Sequence, residues 1–268
     1  MSKGKPRPVR QTINFQEHPN VAKHDWRLHA ATTITKEATI NGTVFPVGSV
    51  VKASSQIRLS KKGEILNLGA PNVPAMLLNL ADQFDLRATT LHQDVLTLAK
   101  SGKSEASDDT QLFDALEARM GAAVFAYTAL EAFANEVIEN AYGKGFRYAP
   151  TLRSGLTVSY DLESIERKLS LEEKIASVIP AALAVNSPKG RTPYNRFKRL
   201  KDLRDRIIHL KGRDRIYSND KTFWRELMSA KSADFAIQAY DIIAFFFNQI
   251  PGEVPRWFAK FGMSKGRL

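Results

Sequence analysis

The chain has 268 residues, 43% of them hydrophobic and 25% charged, the balance of a folded globular protein rather than a disordered or fibrous one. It contains no cysteine, which excludes disulfides, thiolate metal sites and cysteine nucleophiles. Its net charge of +11 is concentrated. Eleven Lys and Arg stand against three Asp between Lys189 and Arg215, and Lys3, Lys5, Arg7 and Arg10 fall within the first ten residues. Such a local excess attracts polyanions, although a charge run also serves as a solvated helix face.

Residues 1–30 are polar and rich in Pro, Lys, Arg and His, and read as a flexible basic arm. No apolar run follows the charges of MSKGKPRPVRQTINF, so no secretory leader is expected. His18, His24 and His29 lack cysteines or a carboxylate at ligand spacing, so neither a metal nor a cofactor is expected. Residues 31–72 change texture. TTITKEATI, TVFPVGSVV, SQIRLS and EILNL are separated by Asn41-Gly42, Pro46 and Lys62-Gly63, which predicts strands, hairpin turns and a small β-rich extension.

Residues 73–268 read as a helical domain, making the chain mainly α, a bundle of about five helices with a small β-rich N-terminal extension. The first helix covers 74–100. The second is long, with Leu112, Leu116, Met120, Ala123, Tyr127, Leu130, Ala134, Val137 and Ala141 recurring every three or four residues. A third runs from about 161 to 179 and stops before Pro180. There Glu163, Glu166, Glu172 and Glu173 interleave with Arg167, Lys168 and Lys174 as a salt-bridged surface. A fourth runs from Pro193 to Leu210, and a fifth from Ser232 to Gln249. The segment 233–250 is the most apolar, but it carries two aspartates and is short for a span. A soluble, cytoplasmic protein with no membrane partner is the expectation.

The stretch LKDLRDRIIHLKG, residues 200–212, carries the chemistry. Leu200, Leu203, Ile207 and Leu210 form the core-facing stripe. Asp205 and His209 lie one turn apart on the opposite side, acid before base, so the carboxylate would orient the imidazole for proton transfer. Arg204 offers a planar fork for a phosphate and for the extra charge of five-coordinate phosphorus. These groups suffice for RNA cleavage in which the 2′-hydroxyl attacks its own phosphate. The nucleophile belongs to the substrate, so no metal is needed, and DNA would resist. Arg204 and His209 stand about 140° apart around one helix, so a second copy across a two-fold axis is expected to complete the site. Glu131 and Asn135 would either reach this helix and hold Arg204 or stand as an edge-exposed polar pair. Lys198, Arg199, Lys201, Lys211 and Arg213 are the candidate RNA-backbone contacts. Tyr194 and Phe197 could stack on bases, with Phe197 better placed to pack inward.

RDRIIH, residues 204–209, resembles the Arg-x4-6-His signature of HEPN domains, with Asp205 at the polar position after the arginine. YTALEAFANEVIEN, residues 127–140, is similar to the long helix that precedes that motif. The resemblance covers roughly residues 74–250. It implies an all-α bundle that dimerises, with Arg204 and His209 catalytic and Asp205 supporting in a cleft at the dimer interface. The activity implied is metal-independent cleavage of single-stranded RNA, as a toxin, an antiviral-defence effector or an RNA-processing enzyme. RNA and a second copy are the implied partners, and a toxin role would add an antitoxin or regulatory protein. Asparagine is common where Asp205 stands, and some members are binding modules without nuclease activity. A non-catalytic nucleic-acid-binding or regulatory module therefore stays open, as does a protein-interaction role.

Overall fold

A computed structural model describes residues 19–29, 31–40, 42–52, 54–58, 63–100, 106–151, 154–215, 223–229, 234–252 and 254–267. It is mainly helical, with a small strand-bearing segment near the N-terminus. The chain divides into two units: Met1–Asn72 together with Phe247–Leu268, and Val73–Phe246.

In the first unit a short helix α1 (Pro19–Ala22) precedes the strands. These are β1 (Ala31–Thr33), β2 (Ala38–Ile40), β3 (Thr43–Phe45), β4 (Val50–Lys52), β5 (Ser54–Arg58) and β6 (Ile65–Gly69). They pair antiparallel as β1–β4, β2–β3 and β5–β6. In the β2–β3 hairpin Ile40 pairs with Thr43, and Gly42 between them takes φ +77°, a left-handed conformation that glycine adopts without strain. The expected single strand TTITKEATI is split, with Lys36 and Glu37 exposed at the break between β1 and β2.

Residues 1–18 of the expected arm lie outside the described residues, and residues 19–29 are held in place. Arg256 donates to the carbonyls of Val21 (3.2 Å), His24 (2.6 Å) and Asp25 (2.7 Å). It opens a helix, Arg256–Ser264, whose Phe261 ring lies 6.3 Å from that of Trp26. Backbone bonds from Asn72 to Arg27 and from His29 to Ala70 close the unit. Gly69 permits this approach, since a Cβ there would collide with the Leu28 side chain. The sequence reading carried the helical domain through to residue 268. The structure instead groups Phe247–Leu268 with the N-terminal segment, because that terminal helix buries Trp257, Phe258 and Phe261 and supplies the arginine that caps α1.

The second unit is built on a hairpin of α2 (Val73–Lys100) and α3 (Ala106–Gly143). Much of the buried surface of α3 is alanine: Ala115, Ala118, Ala122, Ala123, Ala126, Ala129 and Ala134. Small side chains let neighbouring helices come close on several sides, and so α3 is the central helix. At Gly121 the Phe84 ring fills the place of a side chain, 3.0 Å from where a Cβ would stand, and stacks on Phe125 at 5.5 Å.

The same hairpin buries a charge pair. Arg119 Nη1 lies 3.1 Å from Asp85 Oδ1, with both side chains about 5% exposed. The other oxygen, Oδ2, accepts from the Ala236 N–H at 3.0 Å, at the start of the helix Phe235–Phe247. Asp85 thus caps that helix across 151 residues of sequence.

Three departures from the expected helices have local causes. The expected helix 161–179 is α4 (Leu162–Lys168), a break, and then α5 (Leu171–Glu173). Ser170 and Glu173 form a reciprocal capping box, so a new helix starts inside the old pattern. Pro180 does not stop the chain. A π-helical turn, Lys174–Val178, leads into α6 (Ile179–Leu183), with the Ile179 N–H bonded to the Lys174 carbonyl. Proline has no N–H for the carbonyl of Ala176 four residues back, and the Ser187 hydroxyl bonds that carbonyl at 2.7 Å instead. Next come α7 (Thr192–Ile208), α8 (Phe223–Met228) and α9 (Phe235–Phe247), then α10, the terminal helix already described. At six residues α8 is too short to show a period, and the sequence reading missed it along with α10. Among the described residues no helix is long and apolar enough to cross a membrane.

Burial pushes the Asp85 carboxyl up to about 6, against the pull of the Ala236 N–H and of Arg119. The native chain then holds a proton that the unfolded chain releases near pH 4, so this group's contribution to stability falls as pH climbs from 4 to 6. Urea unfolding of the wild type across that range should show the fall, and Asp85→Asn should remove it. Asp85→Ala leaves Arg119 buried without its partner and should cost about 3–5 kcal/mol at neutral pH.

Candidate active site

Helix α7 is positioned by its apolar stripe. Tyr194, Phe197, Leu200 and Leu203 are buried, and Phe197 stacks on Tyr127 of α3 at 6.3 Å with the rings 8° from parallel. Phe197 is thus inside, as the spacing suggested. Tyr194 is inside too, 6% exposed, and its hydroxyl donates to Glu172 at 3.0 Å, so it is not a base-stacking platform. Burial and the Glu172 carboxylate push its phenol up to about 12.

Arg204 leaves the edge of the stripe and lies over the Tyr127 ring, 4.7 Å from its centroid. Its Nη1 donates to Asp205 Oδ1 at 3.1 Å, while Lys201 Nζ donates to Asp205 Oδ2 at 2.8 Å. Burial raises the Asp205 carboxyl, but these two cations outweigh it and hold the group below the usual carboxylate range. The expected pairing of Asp205 with His209 is not what forms. The helix ends at Ile208, and His209 is its C-cap, at φ −125° and ψ 56°, with its N–H bonded to the Asp205 carbonyl. The imidazole is exposed, and the carboxylate that was to orient it is held by cations from its own helix.

A cleft of about 930 Å³ opens beside the end of α7, lined by Asp202, Asp205, Arg206, His209, Lys211, Asp214 and Glu226. Arg206 is its brace. Its Nε bonds the buried Asp214 at 2.8 Å, its Nη1 bonds Glu226 at 2.5 Å, and its plane covers Phe223 at 4.8 Å. Asp214 also accepts from the Lys211 N–H, which pins the turn after His209. Arg206, Asp214 and α8 were not singled out in the sequence, because each matters only once the turn folds back. Around Tyr127, Glu131 is raised by burial, against the attraction of Arg204 and Lys174, and Tyr127 itself is pushed up to about 12. Asn135 does not reach Arg204. Its Oδ1 accepts from Lys174 Nζ at 3.0 Å.

Lys174 corrects a second expectation. It is not part of a salt-bridged surface but is 6% exposed within the π turn, where burial lowers its pKa. Of the expected RNA contacts, Lys198 and Arg199 are exposed on the outer face of α7, and Lys211 is exposed beside the cleft. Lys201 is engaged by Asp205, and the Arg213 side chain lies outside the described residues. Among the described residues no cluster of three or more His, Asp or Glu is arranged to hold a metal ion.

Comparison with protein-family models, with curated proteins and with solved structures finds no match to this chain.

The cleft's wall should fail when its brace is removed. Arg206→Met leaves Asp214 buried without its charge partner and should lose about 3 kcal/mol in urea unfolding. Adding Asp214→Asn, which removes the stranded charge, should recover a good part of that loss.

Proposed function

We propose that this protein is a metal-independent endoribonuclease of the HEPN type, acting on single-stranded RNA as a toxin or antiviral-defence effector. One observation carries this reading. At the end of α7, Asp205 touches Arg204 and also lines the cleft that the exposed His209 enters. The carboxylate that holds the guanidinium and the exposed imidazole thus border one cleft, and a guanidinium and an imidazole are the two kinds of group that a transesterification of RNA uses.

In the proposed reaction the 2′-oxygen forms a bond to phosphorus as the bond from phosphorus to the 5′-oxygen breaks. The products are a 2′,3′-cyclic phosphate and a 5′-hydroxyl. Arg204 offsets the charge that builds on the phosphoryl oxygens, and His209 transfers a proton. One proton must leave the 2′-oxygen while another reaches the departing 5′-oxygen, on opposite sides of the phosphorus. A second copy across a two-fold axis would bring a second His209 for the other transfer.

The non-catalytic module remains the alternative, and the cleft's charge favours it. Four carboxylates, from Asp202, Asp205, Asp214 and Glu226, line the cleft against Arg206 and Lys211, and Arg206 is already paired twice. A binding module would hold RNA on the outer face of α7, at Lys198 and Arg199, without cutting it.

Labelled RNAs incubated with excess EDTA decide between them. The wild type should cut and leave 2′,3′-cyclic ends. His209→Ala should lose about 10²–10⁴-fold in rate with little change in RNA affinity. Salt-sensitive binding without cleavage would instead support the module.

A further inference from the structure

Resting on the RNA-cleaving reading, we propose that Lys201 and Arg204 form a phosphodiester-binding subsite, occupied in the resting chain by the Asp205 carboxylate as a displaceable counter-ion. The geometry is that of an anion shared by two cations. Oδ1 of Asp205 lies 3.1 Å from Arg204 Nη1, and Oδ2 lies 2.8 Å from Lys201 Nζ. A phosphodiester carries the same single charge on two non-bridging oxygens attached to one centre. The carboxylate therefore offers the two cations what an RNA phosphate offers them, oxygen for oxygen.

Two features let the exchange occur. Arg204 does not depend on Asp205 alone for its place, because the Tyr127 ring lies beneath the guanidinium at 4.7 Å, and Tyr127 is stacked on the buried Phe197. The cation therefore keeps its place when the carboxylate leaves. The three side chains are also reachable from solvent, at 28% exposure for Lys201, 28% for Arg204 and 38% for Asp205. Asp205 borders the cleft, which gives its carboxylate open space to swing into. Lys201 and Arg204 are three residues apart, neighbours on the helix surface, so one phosphate spans both. Asp205 then acts as a competitor for its own substrate, and its presence lowers affinity for any phosphodiester.

The test is fluorescence anisotropy with a 2′-O-methyl oligoribonucleotide, whose blocked 2′-oxygen prevents cleavage. Asp205→Asn should bind about fivefold more tightly than the wild type, the size of an exposed ion pair. Its affinity should also fall more steeply with salt, by about one unit of log–log slope. Adding Lys201→Met and Arg204→Met should abolish the gain. Asp202→Asn removes an equal charge from the same cleft and should gain less. Unchanged or weaker binding by a folded Asp205→Asn would overturn the proposal. So would a gain that survives loss of both cations, or one matched by Asp202→Asn. Asp205→Ser, read the same way, replaces the Asn variant if that does not fold. Tighter binding without cleavage of natural RNA would remove the nuclease and keep the subsite. Cleavage by the wild type with no gain in the Asn variant would do the reverse.

Discussion

The register of the second unit depends on one buried carboxylate. Asp85 joins α2 to Arg119 of α3 and to the first turn of α9, and it does so where neither charge meets water. An ion pair buried in this way is a weak source of net stability but a strong source of specificity, because any slip of α3 along α2 would strand two charges. Gly121 and Phe84 add a steric lock two residues further along α3. With Arg119 and Gly121 fixed, Tyr127, Glu131 and Asn135 follow at successive positions down α3. The residues that meet α7 and the π turn are therefore set by a contact about two to four turns away.

This constraint explains which parts of the molecule were legible in the sequence. Long elements with a strong period were: α2 falls close to the expected 74–100, α3 contains the whole expected stripe from Leu112 to Ala141, and the buried stripe Phe197, Leu200, Leu203 follows from spacing alone. Elements set by one or two residues were not. The Ser170–Glu173 capping box is written plainly in the sequence, yet the expected helix 161–179 ran straight through it. The π turn before Pro180 could not be read locally, because it relies on a hydroxyl from Ser187, eleven residues beyond the carbonyl it serves. The return of α10 to the N-terminal segment rests on Arg256 and three backbone carbonyls, and backbone carbonyls carry no sequence signature.

The site divides along the same line. Spacing singled out Arg204, Asp205 and His209 as candidates, and the helical angle set Arg204 apart from His209. Spacing did not give their partners. A carboxylate one turn before a histidine is a reasonable expectation on an ideal helix. Here the helix ends one residue short of the histidine, while Lys201 precedes the carboxylate by a full turn and Arg204 stands next to it. Two permanent cations within hydrogen-bonding distance outcompete one imidazole. The same reasoning covers Lys174, whose neighbours in sequence are acidic but whose neighbours in space are Asn135 and the Glu166 carbonyl.

Charge along α7 is therefore more ordered than the total suggests. The first half of the helix exposes Lys198 and Arg199, whereas around its end carboxylates claim most of the cations: Asp205 takes Lys201 and Arg204, and Asp214 and Glu226 take Arg206. Lys198 and Arg199 are exposed beside Arg196, which Asp241 holds at 2.9 Å, so carboxylates reach the first half of the helix as well. Long-range attraction depends on screened surface charge, whereas recognition at the proposed subsite depends on displacing a particular carboxylate. An arginine held on a ring and matched by a removable counter-ion is kept in position without being committed to any phosphate. Selectivity at such a subsite comes from which ligand can replace Asp205 on both cations at once, a demand that a single charge of the right sign does not meet.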